Sequence, residues 1–336
     1  MAAITGIKDL AAILKVSPST ISKALSDSPE ISRETKSRVR KMAESMGYVP
    51  NHYARSLKSK QTKTIGVIVP NVIDDFFAKV LHGIEREASN HGFTVLVTFS
   101  NDRKANEIKN LISLVNHCVD GILISFSKGT QKNNDYGTVE RVMGHGMPIV
   151  MFDRIYHELA LDSVSIDDFQ GAFKATQHLC NSGCNSIGFL SSISGTSVGR
   201  ARKRGYRKAL KEHGLFNKKP CSIEFGSYRN FKSILAKGMK EYKLDGILAA
   251  DELSAVYALN TLKQLGYQVP GEISIIGFTD GPMAQSAFPA LSVVSQQAEK
   301  MGSMAFELLR GRLTKGYGKI QNMVIKPELL LRETTN

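Results

Sequence analysis

The sequence predicts an all-α helix-turn-helix headpiece followed by an α/β core of two doubly wound, parallel-sheet lobes. Three observations carry that prediction. Residues 5–47 hold three short apolar stripes at helical spacing. From Thr64 onward, short β-branched runs alternate with helical patterns, the signature of parallel strands covered on both faces. The alternation breaks once, at 154–162, and then restarts, so two units of about 130 residues fit the available length.

In the first segment Ile7, Leu10, Ala11 and Leu14 form one stripe. A three- to four-residue connection follows, ending at Val16. Ser17 is a good N-cap, and Pro18 suits the first helical position because its missing N–H would be unpaired there anyway. The second helix runs to about Leu25. Its apolar side is Ile21, Ala24 and Leu25, and its other face offers Pro18, Ser19, Ser22 and Lys23. DSPE breaks this helix. Ser32 caps a third, with Val39, Met42, Ala43 and Met46 facing inward and Gly47 closing it. Residues 48–63 read as a basic, polar linker in which Ala54 and Leu57 are the only apolar side chains after Tyr53.

The expected strands are TIGVIVP (64–70), TVLVTF (94–99), DGILISF (120–126), PIVMFD (148–153), SVSID (163–167), SIGFLSS (186–192), DGILAA (245–250) and ISIIGF (273–278). The expected domains are a headpiece at 1–49, a hinge at 50–63 and a core at 64–336. The core divides into lobes at roughly 64–162 plus 293–324 and 163–292 plus 325–336. Open parallel sheets bind ligands outside the carboxyl ends of their strands, so two facing units make a cleft.

Composition narrows the function. The chain has 336 residues and a formal net charge of +13. Residues 1–63 hold 12 Lys/Arg against 5 Asp/Glu, so more than half of the excess sits in less than a fifth of the chain. Clustered cations attract polyanions, because neutralising phosphates releases condensed counterions. No apolar run approaches the ~18 residues of a membrane span, and the first 30 residues lack a secretory pattern, so a soluble cytoplasmic protein is expected. The four cysteines (118, 180, 184, 221) do not form a disulfide framework, and no second pair completes a metal site around Cys180 and Cys184. No phosphate-binding glycine loop, HExxH or GxSxG occurs. His82 with Glu85 reads as a surface pair, and Asp74-Asp75 and Asp167-Asp168 read as caps or hydrogen-bonding groups. No catalytic residue, cofactor or metal is expected.

The segment from Ile7 to Pro70 resembles the DNA-binding headpiece, hinge and first core strand of the LacI/GalR (lactose-repressor-like) transcription regulators. The motifs are Asp9 and Ala11, VSPSTIS (16–22), ISRET (31–35), GYVPN (47–51) and ARSL (54–57). The likeness continues through VDGILI (119–124), FDR (152–154), RKRGY (202–206), ISIIGF (273–278), VVSQ (293–296) and KPELLLRET (326–334).

This resemblance implies a homodimer on a pseudo-palindromic operator of double-stranded DNA. It implies that Pro18, Ser19 and Lys23 face base edges in the major groove, while Ser17, Thr20 and Ser22 touch phosphates or pack. It implies a hinge, Asn51–Ser59, that contacts DNA through Asn51, Ala54, Arg55 and Leu57, with Leu57 wedged into the minor groove. The core resembles the periplasmic sugar-binding protein fold, and the implied contacts to a sugar-like effector are Phe76, Phe77, Ser127, Asp153, Arg154, Arg202, Tyr228, Asp251 and Asp280. Two positions depart from the family pattern. Thr279-Asp280 stands where many relatives have an acidic pair, and Pro18 offers no donor to a base. The chain stops without a heptad tail. The reading is therefore an effector-responsive repressor; the alternative, a solute-binding protein of sugar transport, would need a signal peptide and no residues 1–63.

Overall fold

Three helices open the chain: α1 (Ile7–Leu14), α2 (Pro18–Leu25) and α3 (Arg33–Ser45). The computed structural model describes residues 6–48, 61–73, 75–216, 221–316 and 318–336. It divides into two compact units that meet between Thr62 and Lys63.

In the first unit, the Asp9 carboxylate accepts the Gly6 N–H at 2.8 Å, satisfying a donor that the helix start leaves unpaired. The chain then turns through Lys15, which adopts the left-handed conformation (φ 52°) without being glycine. Val16 N–H reaches back to the Ala11 carbonyl at 3.1 Å. Leu10, Ala11, Ile21, Ala24, Val39 and Ala43 form the buried core. Leu25, Met42 and Met46, expected inside, are half-buried at its rim. Gly47 (φ 59°) closes α3, and Tyr48 N–H bonds the Ala43 carbonyl at 2.8 Å. After α2, Asp27 sits 3.0 Å from both Lys36 Nζ and Arg40. The hydrogen bond and the charge of Lys36, then the charge of Arg40, hold its carboxyl below the usual range.

The second unit holds twelve strands among the described residues. The first sheet contains β1 (Thr64–Val69), β2 (Thr94–Phe99), β3 (Gly121–Ile124), β4 (Ile149–Phe152), β5 (Asp162–Ile166) and β11 (Asn322–Ile325). Its order is β11-β5-β4-β3-β1-β2, parallel throughout. The second contains β6 (Ile187–Ser191), β7 (Cys221–Glu224), β8 (Gly246–Ala249), β9 (Ser274–Phe278), β10 (Ser292–Ser295) and β12 (Glu328–Leu330). Its order is β12-β10-β9-β8-β6-β7, parallel except for the β10–β12 pair. The two-lobed α/β core is therefore present, with one antiparallel edge.

The chain crosses between lobes three times: after β5, between β10 and the helix Ala298–Lys315, and between β11 and β12. The expected lobe limits at 162/163, 292/293 and 324/325 cut through β5, β10 and β11. Strand pairing corrects them: all of β5 and β11 belong to the first sheet and all of β10 to the second. A strand stays whole because its backbone groups are satisfied by one ladder, and composition does not change at the crossing.

In the first lobe the helices Asp75–Asn90 and Ala298–Lys315 lie side by side over the sheet, burying Phe77, Val80, Ile84, Met301, Ala305 and Phe306. Glycine permits the approach. A Cβ on Gly302 would lie 2.1 Å from the Val80 carbonyl oxygen, and one on Gly83 would lie 2.1 Å from that of Glu299. No helix among the described residues is long and apolar enough to cross a membrane.

Candidate functional site

Two surfaces gather the polar groups singled out by sequence. The first is the outer face of α2. Ser17, Pro18 and Ser19 are exposed, while Thr20, Ser22 and Lys23 are half-exposed. Ser17 Oγ accepts the Thr20 N–H at 3.1 Å, so it is first a helix cap. It also bonds the hydroxyls of Ser19 (2.7 Å) and Thr20 (2.9 Å), which pre-orients all three. Lys23 is ion-paired with Glu30, a partner it must leave in order to reach a base or a phosphate. Small hydroxyl side chains on an exposed helix, beside one cation, suit close entry into a groove. Asn51, Ala54, Arg55 and Leu57 lie outside the described residues.

The second surface is the cleft at the carboxyl ends of the strands. In the first lobe, Arg154 pairs with Asp102, and its guanidinium lies 5.7 Å from the Phe77 ring centroid. Asp153, in the left-handed conformation (φ 57°), lies 3.9 Å from Arg154 Nε and accepts a long bond from Ser125 Oγ at 3.4 Å. Phe76 and Phe77 are both buried, edge to face at 5.1 Å. Ser127 is buried and caps the short helix Lys128–Asn133 by accepting the Thr130 N–H at 3.2 Å. Glu107, only 2 % exposed, accepts both the Ser127 N–H (2.5 Å) and the Thr130 hydroxyl (2.6 Å). Burial raises the carboxyl pKa of Glu107 above its ordinary 4.5, opposed by those two hydrogen bonds.

In the second lobe, Arg202 donates through Nε to Asp168 at 2.7 Å and through Nη1 to the Ala250 carbonyl at 2.5 Å. Its guanidinium stacks 3.8 Å from the Phe278 centroid. Burial raises the Asp168 pKa despite the charge of Arg202. Asp251 caps the helix Glu252–Gln264 by accepting the Ser254 N–H at 2.8 Å. It also accepts from the hydroxyls of Ser254 (2.7 Å), Ser192 (2.9 Å) and Tyr228 (3.1 Å). Four donors fill its lone pairs, so a ligand would have to displace one of them. The Asp280 carboxylate takes Arg332 at 2.6 Å and Gln285 at 3.2 Å. That carboxylate is occupied within its own lobe.

Three side chains that sequence reasoning passed over join the lobes. Lys128 Nζ donates to the Ser192 carbonyl at 2.9 Å. The Gln131 amide accepts the Ser197 N–H at 2.9 Å, donates to Ser197 Oγ at 3.1 Å and anchors to the Ile155 carbonyl at 3.1 Å. Lys79 Nζ donates to the Asp280 carbonyl at 2.6 Å. Beside that last bond a pocket of about 550 Å³ opens, lined by Phe76, Lys79, Thr279, Asp280, Gln296 and Gln297 among others. The available signal was positional: Asp102, Lys128, Gln131 and Ser192 all follow within a few residues of a strand run.

The chemistry is that of binding. Burial pushes the thiols of Cys180, Cys184 and Cys221 up to about 11, far from a reactive thiolate. Glu87, His91 and Glu307 form the metal-capable trio among the described residues, but Arg310 already holds Glu307 with three contacts.

A helix-turn-helix module joined to a two-lobed ligand-cleft core is the architecture of a DNA-binding regulator rather than of an enzyme. Residues 6–51 match the family described as bacterial regulatory proteins, lacI family, and residues 176–335 match a periplasmic binding protein-like domain. The HTH-type transcriptional repressor CytR of Escherichia coli (strain K12) is 30% identical over 335 residues, covering 98% of this chain and 96% of that protein. The lac repressor dimer bound to operator and the anti-inducer ONPF superposes with a TM-score of 0.85. It covers 98% of this chain and 99% of that one at 20% identity, a likeness of fold. A periplasmic binding protein/LacI transcriptional regulator from Alkaliphilus metalliredigens QYMF, complexed with D-xylulofuranose, is 26% identical with a TM-score of 0.71. It covers 82% of this chain and 99% of that one. The chain belongs to the LacI family. It is a DNA-binding transcription regulator, not an enzyme, and the family is favoured over a transport solute-binding protein.

Proposed function

We propose that the protein is a cytoplasmic repressor, acting as a homodimer, whose affinity for a double-stranded operator is set by a small sugar-like effector held between the core lobes. The observation that carries this reading is the pairing of two polar clusters, Arg154–Asp102 and Asp251–Tyr228, on opposite lobes, with Lys128 and Gln131 bonded across. Hydroxyl-rich ligands match such groups, and the faces of Phe76 and Phe77 suit the C–H side of a sugar. The sugar bound by the D-xylulofuranose relative supports the same class.

On this reading Phe76, Phe77, Asp153, Arg154, Tyr228 and Asp251 meet the effector. Ser127, Arg202 and Asp280 contribute by holding the cleft walls. On DNA, Ser19 and Lys23 read bases, Thr20 and Ser22 meet phosphates, and Ser17 acts first as a cap. Pro18 reads shape or a thymine methyl. The hinge residues Asn51, Ala54, Arg55 and Leu57 complete the DNA contact. The effector shifts a two-state equilibrium by its differential affinity for the two lobe arrangements and by no more than that.

The test has two steps. Operator sites are selected from a random DNA pool, and operator affinity is then titrated against a panel of mono- and disaccharides. The active sugar should lose its effect in Arg154→Met while operator affinity without sugar is retained. An unchanged sugar response in that variant would remove the cleft assignment.

A further inference from the structure

Residues 64–336 carry 32 Lys/Arg and 26 Asp/Glu, a net of +6. The helix Ser197–Glu212 alone carries seven Lys/Arg and one Glu, also +6. The rest of that region is therefore balanced, and one helix holds its entire charge excess. The placement is ordered. Val198, Arg202, Gly205, Tyr206, Ala209 and Leu210 are buried on the inner side. Arg200, Arg204, Arg207, Lys208 and Lys211 are exposed, and at 3.6 residues per turn they fall within an arc of about 100° on the opposite side.

Little neutralises this stripe. Lys208 pairs with Glu212 at 2.9 Å, and Arg200 donates to the Gly195 carbonyl at 3.0 Å. Arg204, Arg207 and Lys211 have no acidic partner within ion-pair distance among the described residues. Lys203, at the edge of the stripe, is paired with Glu224. An uncompensated run of like charge costs stability, so it is more readily understood as a surface with an anionic occupant.

We propose that this helix face is a second DNA-binding surface, separate from the headpiece, that grips the phosphate backbone without reading sequence. The occupant follows from what the face lacks. Protein interfaces add arginine to a core of aromatic and apolar anchors, with lysine depleted. The exposed positions of this stripe are cations alone. At about 1.5 Å of rise per residue, the stripe runs about 16 Å, which spans about five phosphates of one strand at about 3.4 Å each. Such a surface would let a regulator already seated on its operator hold a second stretch of duplex.

Full-length protein bound in saturation to an immobilised operator duplex is challenged with a labelled random-sequence duplex. With the headpieces engaged, a second duplex can be captured only by another surface. The wild type should capture it in a salt-dependent manner. The Arg204→Gln/Arg207→Gln/Lys211→Gln triple variant should lower the slope of log affinity against log salt by about 2.7, which is three phosphate contacts. A control with the same charge change on a different exposed face, Lys232→Gln/Lys237→Gln/Lys240→Gln, should leave capture unchanged. All six side chains are exposed, and matching thermal melts verify that each variant is folded. Failure of the wild type to capture the second duplex, or equal losses in both triples, would overturn the proposal. So would stripe-dependent capture of polyglutamate but not of DNA, which would assign the face to an acidic protein.

Discussion

Replacing Gln131 with Met should loosen the arrangement of the two lobes. The Gln131 side chain is 3 % exposed, and its amide makes two bonds to Ser197 in the second lobe and one to Ile155 in the first. Met has nearly the same volume, so Gln131→Met removes the bonds without opening a cavity. Each bond contributes about 0.5–1.5 kcal/mol net, so the two that cross the cleft are worth about 1–3 kcal/mol. That corresponds to about a 5- to 150-fold shift toward separated lobes. The Ser197 amide is the direct reporter, since the Gln131 oxygen is the acceptor it faces at the helix start. Hydrogen exchange at Ser197 should accelerate by that factor, and the radius of gyration from small-angle scattering should rise. Unchanged Ser197 protection together with unchanged scattering would refute the clasp.

Glu107→Ala should destabilise the core by about 2–4 kcal/mol, because it strands the buried Ser127 N–H and Thr130 hydroxyl, as read from urea unfolding. Glu107→Gln keeps an acceptor and separates the charge from the bonds. Because burial raises the folded pKa of Glu107, its stabilising contribution is full below about pH 4.5 and is lost as pH rises through the folded value. Relative to wild type, the Gln variant should therefore gain stability as pH rises above about 4.5; a difference that stays flat with pH counts against the burial argument. In the headpiece, Ser17→Ala should cost about 1 kcal/mol through loss of the cap, and Ser17→Asp should restore melting but not operator affinity. Lys15→Gly should raise the headpiece melting point by relieving a left-handed residue, worth about 0.5–1 kcal/mol, with operator specificity unchanged.

The headpiece was legible in the sequence because its rules are local. The serine caps, the Pro18 start, the Gly47 stop and the apolar stripes each depend on residues a few positions apart. The eight strongest strands were legible for the same reason. Four strands were not: β7, β11 and β12 are short, carry exposed or half-exposed side chains and lie at sheet edges, and β10, though buried, has only two apolar residues between serines, so no apolar run marks them. The place of the cleft was readable from strand ends, but its bonding was not. Asp102, Lys128 and Gln131 acquire meaning only from partners 52, 64 and 66 positions away. Ser127 and Asp251 teach a different lesson. Both stand between a strand and a helix with a hydroxyl residue three positions on, and both are helix caps in the structure. The capping rule applied to Ser17 and Ser32 extends to them.

The adjoining glycines Gly83 and Gly302 seat a late helix on an early one, and this sets an order of events at the ribosome. The helix Asp75–Asn90 and strands β1–β5 emerge first. The helix Ala298–Lys315 and β11, which complete the same hydrophobic core, follow only after roughly 130 further residues, about ten seconds at the usual pace of elongation. Throughout that interval the part of the core that Met301, Ala305 and Phe306 will fill has no cover. The first lobe to be started thus stays open until nearly the whole chain has been made, and while it waits the nascent chain depends on whatever shields that core in the cell.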